Sequence, residues 1–474
     1  MMSLLHNKGF ASFKLWLQKD LKSTHYSLFA LAILLIATLL TVVVYITYPY
    51  PSLNADTPGY LEAARQIQIY GLSFQSIHAM RLPVYPLFML LIFAIAGQGN
   101  LMAVSIVQGA LFVLAALEVY ILLALLLRRS WLAALVSLFV AANPVLLLYS
   151  KQIMTEGPSL WLLTTLILCS VFFFQNIQKP RWFLFWAMLG FMILLIFTRP
   201  EWILLPIVLN ALLLFKTWRT SIFRRIIPRM IISLLVFYAL VGGYIITNYF
   251  VHGYMGLSWI ENMNYLGKVM QYRMYREAPP EYQYITDRII QYIEVEHRGR
   301  SPYQLLGSTL PELRENNNHL AGEYARSIIY RHPLEFIGYT IPYVPISLTY
   351  FYVPPSDPAH PTLHHMLLSL TAIHKGIYHQ NYLFLFYAAF WLLLLCWKRT
   401  RSHRLVQGMS FISVIVLYAL VITTAGGYFE TDYMRVHIVF DQLIYVVTWG
   451  TPAALLLFLA QYLRRKRRIA AVSQ

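Results

Sequence analysis

Charge is what this 474-residue chain has least of: Asp, Glu, Lys and Arg make up 12% of it, where a soluble domain carries about 25%. Hydrophobic residues make up 58% and the mean hydropathy is +0.57, which excludes an ordinary soluble globule. Cysteine is nearly missing. Cys169 and Cys396 both lie in apolar runs, which excludes a disulfide scaffold and a cysteine-based zinc module. No Asn-x-Ser/Thr sequon, internal repeat, heptad or low-complexity tract occurs, and the lack of a sequon favours a bacterial envelope. Acids are the scarcer sign, 20 against 37 Lys+Arg, for a net charge of +17. On a soluble protein that excess would point to nucleic acid; here topology accounts for it.

What is present in quantity is long apolar runs. A spanning helix needs about 20 such residues, and runs occur at 27–48, 101–127, 131–149, 158–175, 182–197, 201–215, 230–248, 381–397, 406–424 and 436–460. The stretches 83–96 and 334–353 are apolar but interrupted by proline, and read as interfacial or re-entrant. A mixed polar segment precedes the first run and no small-residue cleavage site follows it, so it reads as a retained span rather than a signal peptide. With a cytoplasmic N-terminus, the segments 1–26, 128–129, 179–181, 216–229, 398–404 and 464–468 face the cytoplasm. They hold 22 Lys+Arg and one acid, Asp20. The positive-inside rule therefore places both termini in the cytoplasm of a bacterial inner membrane. The expected fold is an all-α polytopic bundle of about 10–12 spans. Its parts are a transmembrane module at 1–248 with an outer loop at 49–82, an outer segment at 249–380, and C-terminal spans with a basic tail at 381–474.

The unusual residues lie on the outer side. Thr57 can cap a helix with Pro58 at its first position. Tyr60, Ala63, Ala64, Ile67 and Tyr70 then form an apolar stripe suited to a membrane-surface helix. Asp56, just before it, is either an alternative N-cap, worth about 1 kcal/mol, or a carboxylate at the lipid boundary available as a general base. Arg81, in Arg81-Leu82-Pro83-Val84-Tyr85-Pro86, is either a snorkelling anchor or a bidentate phosphate clamp. Glu156 either complements the dipole of the following span or supplies a second site carboxylate.

Together, these motifs resemble the GT-C superfamily of integral-membrane glycosyltransferases. They are a first span, Asp56-Thr57-Pro58-Gly59-Tyr60-Leu61-Glu62-Ala63-Ala64, and the Arg81 motif before another apolar stretch. The likeness is closer to bacterial relatives of protein O-mannosyltransferases and of the aminoarabinose transferase of lipid A. Met154-Thr155-Glu156, Thr198-Arg199-Pro200, Ala325-Arg326-Ser327-Ile328-Ile329-Tyr330-Arg331-His332-Pro333, and Glu430 with Arg435 fall at matching places. The resemblance implies inverting transfer of a sugar from a polyprenyl-phosphate donor to a lipid, glycan or protein acceptor on the outer face. It makes Asp56 the catalytic base and Arg81, Arg199 and Arg435 the candidates for the leaving phosphate, with Tyr60, Tyr85, Glu156 and Glu430 as substrate contacts. Many family members carry two adjacent acids in this loop. Here Ala55 and Thr57 flank Asp56, so no local acid pair supports a divalent metal, and no cofactor is expected. Membrane lipids are expected partners and nucleic acid is not.

Elsewhere, Glu118 in mid-span reads as a neutral interhelical hydrogen-bonding group, and Asp441 as a partner of outer-face groups. His360, His364, His365, His374 and His379 read as interfacial residues of a surface helix rather than metal ligands. The Tyr-rich stretch after residue 260 reads as a membrane-interface belt or as stacking surface for a sugar or polyprenyl chain. The rival functions are a lipid-linked saccharide transporter or flippase, a polysaccharide ligase, and a membrane scaffold. The catalytic reading requires a cavity beneath 249–380 that reaches Asp56.

Overall fold

A computed structural model describes residues 24–218, 220–297, 302–308, 310–427 and 432–472. Among them the chain is helical throughout, apart from one isolated bridge between Ser52 and Gln152. The helices are α1 (Thr24–Thr47), α2 (Thr57–Tyr70), α3 (Val84–Ala96), α4 (Leu101–Leu127), α5 (Ser130–Ala141), α6 (Pro144–Lys151) and α7 (Glu156–Gln175). They continue as α8 (Trp182–Ile196), α9 (Leu205–Thr217), α10 (Phe223–His252), α11 (Ile260–Gln271), α12 (Gln283–Ile290), α13 (Pro302–Ser308) and α14 (Glu315–Arg331). The last are α15 (Pro333–Ser347), α16 (Pro361–Tyr378), α17 (Leu383–Cys396), α18 (Arg404–Gly426), α19 (Tyr433–His437) and α20 (Asp441–Val472).

Seven helices are long and apolar enough to span a bilayer, and up to nine spans result if two bent pairs each count as one. The protein is an all-helical polytopic membrane protein. Its outer helices show why. Along α1, Leu28, Leu31, Leu35, Leu39, Val42 and Ile46 are exposed, while Ile33, Ala37, Leu40 and Val44 are buried. Both stripes recur at helical spacing, one facing lipid and the other packing on α4 and α5.

Several expected spans take a different form. The 131–149 run breaks into α5 and α6, bent by 51°. Asn143 accepts hydrogen bonds from the amides of Val145 and Leu146, and Pro144 has no amide to continue α5. The 381–397 run is the second arm of a pair bent by 47°, with α16 as the first. Helix α8 has only 15 residues, short for a span. The proline-interrupted stretches are helical: α3 packs against α2 and α4, and α15 keeps Pro342 and Pro345 within it while packing on α18.

The 249–380 segment is more than a loop. Helices α11 to α14 bury a core of their own, including Leu266, Met270, Tyr275, Ile289, Tyr292, Tyr324 and Ile328. The Tyr-rich stretch is therefore partly core: Tyr272, Tyr275 and Tyr292 are buried, Tyr265 and Tyr282 half-buried, and Tyr284 and Tyr303 exposed. The histidine helix α16 leaves His360, His365 and His379 exposed, as a surface helix would, yet it is anchored to the bundle. It packs on α1 and α6, with His374 buried and the ring of His364 2.9 Å from the Tyr48 hydroxyl. Glu118 accepts from Thr165 at 2.9 Å and from Trp161 Nε1 at 3.2 Å, both on α7, the interhelical role expected of it. Asp441 is fully buried, and neither carboxylate oxygen has a hydrogen-bond partner among the described residues, so the expected pairing with outer-face groups is not made.

Candidate functional site

Helix α2 opens at Thr57, not after it. Asp56 occupies the N-cap position, but its side chain does not cap. The Thr57 hydroxyl instead accepts from the Asn54 amide at 2.9 Å and donates to the Ile153 carbonyl at 3.2 Å, tying the first loop to the turn after α6. Buried Lys151 reinforces that tie, donating to the carbonyls of Tyr48 and Tyr50. Relieved of capping, the Asp56 carboxylate accepts from Arg81 Nη2 at 2.8 Å on one oxygen and from Arg435 Nη1 at 2.6 Å on the other.

Each arginine is held by its own surroundings. The backbone amides of Met80 and Arg81 both donate to His78 Nδ1, which shapes the turn before Arg81. Burial, then the nearby guanidinium of Arg81, push His78 down to about 4, so it is a neutral acceptor at neutral pH. The guanidinium of Arg81 lies 4.6 Å from the Tyr60 ring centroid. It also passes so close to Gly59 that a Cβ there would meet Nε at 2.8 Å, which explains a residue without a side chain at this position. Ser258 and Trp259 dock on the carbonyls of Met80 and Ala79, so the unit built from α11 to α14 closes over this loop. Arg435 is held at 2.8 Å by Asp432, three residues before it in chain order, and approaches Glu156 at 3.9 Å. Buried Lys268 of α11 donates to the Tyr433 hydroxyl at 3.1 Å and anchors this last loop to the α11–α14 unit.

A second pair lies beside the first. Arg199 donates to Glu156 at 2.9 Å and also contacts Glu201, with Arg199 9% and Glu156 3% exposed. The turn between α8 and α9 that carries Arg199 is fixed by Tyr418, whose hydroxyl donates to the Glu201 carbonyl at 2.6 Å.

These groups wall one cavity of about 350 Å³. Among its lining residues are Asp56, Glu156, Glu201, Glu261 and Asp432, facing Arg81, Arg199 and Arg435. Ser258, Glu261, Asn264 and Tyr265 form its wall on the side of the α11–α14 unit, so a cavity against 249–380 does reach Asp56. Burial alone would raise the Asp56 carboxyl, but Arg435 and Arg81 outweigh it and hold it below the usual carboxylate range. Burial likewise opposes the charge on Arg435, and Asp432, Glu156 and Asp56 more than restore it. At Glu261 burial prevails: it pushes the carboxyl up to about 7, against hydrogen bonds from Tyr254 and the Ser258 backbone and the charge of Arg326.

The structure thus gathers Asp56, Arg81, Arg199, Arg435, Tyr60 and Glu156 at one end of the bundle. It does not bring Tyr85 there as a substrate contact. Tyr85 stands edge-on behind Tyr60, ring centroids 4.8 Å apart, with its hydroxyl spent on buried Gln108. Glu430 lies outside the described residues. Sequence reasoning missed Glu201, Glu261 and Asp432 as cavity residues. Glu201 was signalled by its place two residues after Arg199, and Asp432 by its spacing three residues before Arg435. Among the described residues no group of three His, Cys, Asp or Glu side chains is placed to hold a metal ion.

Fold and site together define a polytopic membrane protein with a charge-lined cavity at one end of its helices. No family model matches the chain, and no curated protein or solved structure is significantly similar to it.

Proposed function

We propose that the chain is a GT-C-like glycosyltransferase that moves a sugar from a polyprenyl-phosphate carrier to an acceptor at the outer face of a bacterial inner membrane. The observation that carries this reading is Asp56, clamped on both oxygens by arginines from two distant loops in a cavity wall. The outer placement rests on the basic segments at the other helix ends.

The acceptor hydroxyl oxygen attacks the anomeric carbon and its proton passes to Asp56. The bond from that carbon to the phosphate oxygen breaks, and its electron pair leaves with the polyprenyl phosphate. At rest Asp56 is a weak base, because two guanidinium groups stabilise its charge. An incoming phosphodiester competes for Arg81 and Arg435, and each hydrogen bond it draws away leaves Asp56 more basic. The charge that develops on the leaving phosphate strengthens the same contacts in the transition state. The Glu156–Arg199 pair also borders Arg435, with Glu156 3.9 Å from its Nε, and orients the donor. A neighbouring cavity of about 430 Å³ shares Glu261 and Tyr265 with the first and adds Tyr254, Arg326 and Tyr330, a route by which an acceptor can approach.

The direct test presents purified protein with a panel of polyprenyl-phosphate sugars and measures release of polyprenyl phosphate. Release that depends on acceptor supports the reading; movement of intact carrier across the bilayer without cleavage replaces it with transport. In the same assay Arg81→Ala raises the inhibition constant of free polyprenyl phosphate by about tenfold or more, the value of one charge-assisted hydrogen bond. An unchanged constant moves the clamp to Arg435 or Arg199. The rate profile carries an ionisation near pH 7 from Glu261, and Glu261→Gln removes it. A profile identical in that variant takes Glu261 out of the site.

A further inference from the structure

Three elements that build the Asp56 cavity run away from it to a common end. Glu156 of α7, Pro200 at the head of the Pro200–Thr217 span, and Thr423 and Gly426 of α18 line the first cavity. Their far ends, Gln175, Lys216 and Arg404, line a second cavity of about 660 Å³. Helix α7 has 20 residues and rises about 30 Å over that length, the thickness of a hydrocarbon core. The second cavity therefore lies at headgroup level on the other membrane surface.

Its chemistry is unlike that of the first. Phe174, Leu212, Leu395 and Phe411 supply apolar walls, and Lys216, Arg401 and Arg404 supply the only formal charges among the lining residues. No acid lines the cavity, and none of these three cations forms an ion pair among the described residues. Gln407 holds the rim together, accepting from Lys216 and donating to the Arg401 carbonyl at 2.8 Å. The Gln175 amide nitrogen is buried with no hydrogen-bond partner among the described residues. A buried donor left unmade is costly, so this one points to an acceptor that the described residues do not provide.

We infer that this cavity binds an anionic membrane phospholipid. The phosphodiester takes hydrogen bonds from Arg401, Arg404 and the Gln175 amide, and an acyl chain lies along the aromatic and leucine wall. Both halves of the cavity are needed for that occupant: cations without walls would suit a soluble phosphate, and walls without cations any lipid. The site stands on its own geometry and does not rest on the transferase reading.

The test uses the full-length protein, purified in detergent and offered phosphatidylglycerol or phosphatidylcholine of matched chains, with bound lipid counted by native mass spectrometry. Wild type retains several-fold more phosphatidylglycerol. Arg401→Gln with Arg404→Gln lowers that retention to the phosphatidylcholine level; both side chains are exposed, so the fold tolerates the change. Ala211→Trp, which fills the groove from α9, removes retention while leaving the cations in place. Equal retention of the two lipids, or retention unchanged in both variants, overturns the proposal. Displacement by millimolar glycerol phosphate alone also overturns it, because the site would then be one for a soluble anion.

Discussion

Asp56→Asn is expected to stop sugar transfer while strengthening the grip on its product. Loss of a general base costs about 10²–10⁴ in rate, so turnover falls by at least a hundredfold. Asparagine also removes the charge that competes with phosphate for Arg81 and Arg435. Free polyprenyl phosphate should then bind the variant several-fold more tightly than wild type. A merely structural Asp56 predicts the reverse, since two disordered guanidinium groups would bind phosphate more weakly. The same carboxylate links the site to stability. Its folded pKa is depressed by Arg435 and Arg81 against the opposing effect of burial. Its contribution is thus present above the unfolded value of about 4 and lost as pH falls through the folded one. Wild type should exceed the variant in thermal stability at neutral pH, and the two should converge in acid. Normal transfer by Asp56→Asn would remove the catalytic assignment altogether.

How far the sequence reveals this arrangement depends on the range of the forces involved. The spans are legible because apolar length is a local property, and every helix of spanning length coincides with an apolar run. The bend at Asn143-Pro144 was equally local, a cap followed by a residue without an amide, and the uninterrupted hydropathy of 131–149 masked it. The core formed by α11 to α14 is harder to read. Tyrosine serves an interface belt as well as a small core, and only the pairing of α11 with α14 decides that Tyr275 and Tyr324 are inside.

The site divides in the same way. Asp56, Arg81, Arg199 and Glu156 each stand beside a proline or at a helix start, where a short motif marks them. Their pairing is not local. Arg435 reaches Asp56 across 379 positions, and Arg81 across 25. No spacing rule joins Arg199 to Glu156, yet their ion pair lies inside the cavity wall. That the Asp56 side chain does not cap α2 likewise depends on contacts from elsewhere, the hydroxyl of Thr57 being drawn to Ile153 and the carboxylate to two arginines.

That buried pair supports the second large effect. Arg199→Met strips the partner from Glu156, which is 3% exposed and would be left with Arg435 at 3.9 Å as its nearest cation. Breaking a buried pair from one side costs about 3–5 kcal/mol, because the remaining charge is desolvated and uncompensated. The variant should show a lower melting temperature and a smaller yield of monodisperse protein. Adding Glu156→Gln removes the orphaned charge, and Glu201, more exposed at 15%, can take water from the cavity. The double variant should therefore recover most of the stability. It should not recover transfer, since the group that orients the donor is gone. Stability and activity restored together would make the pair a structural brace alone. Stability restored without activity would place Arg199 and Glu156 among the groups that meet the lipid-linked sugar.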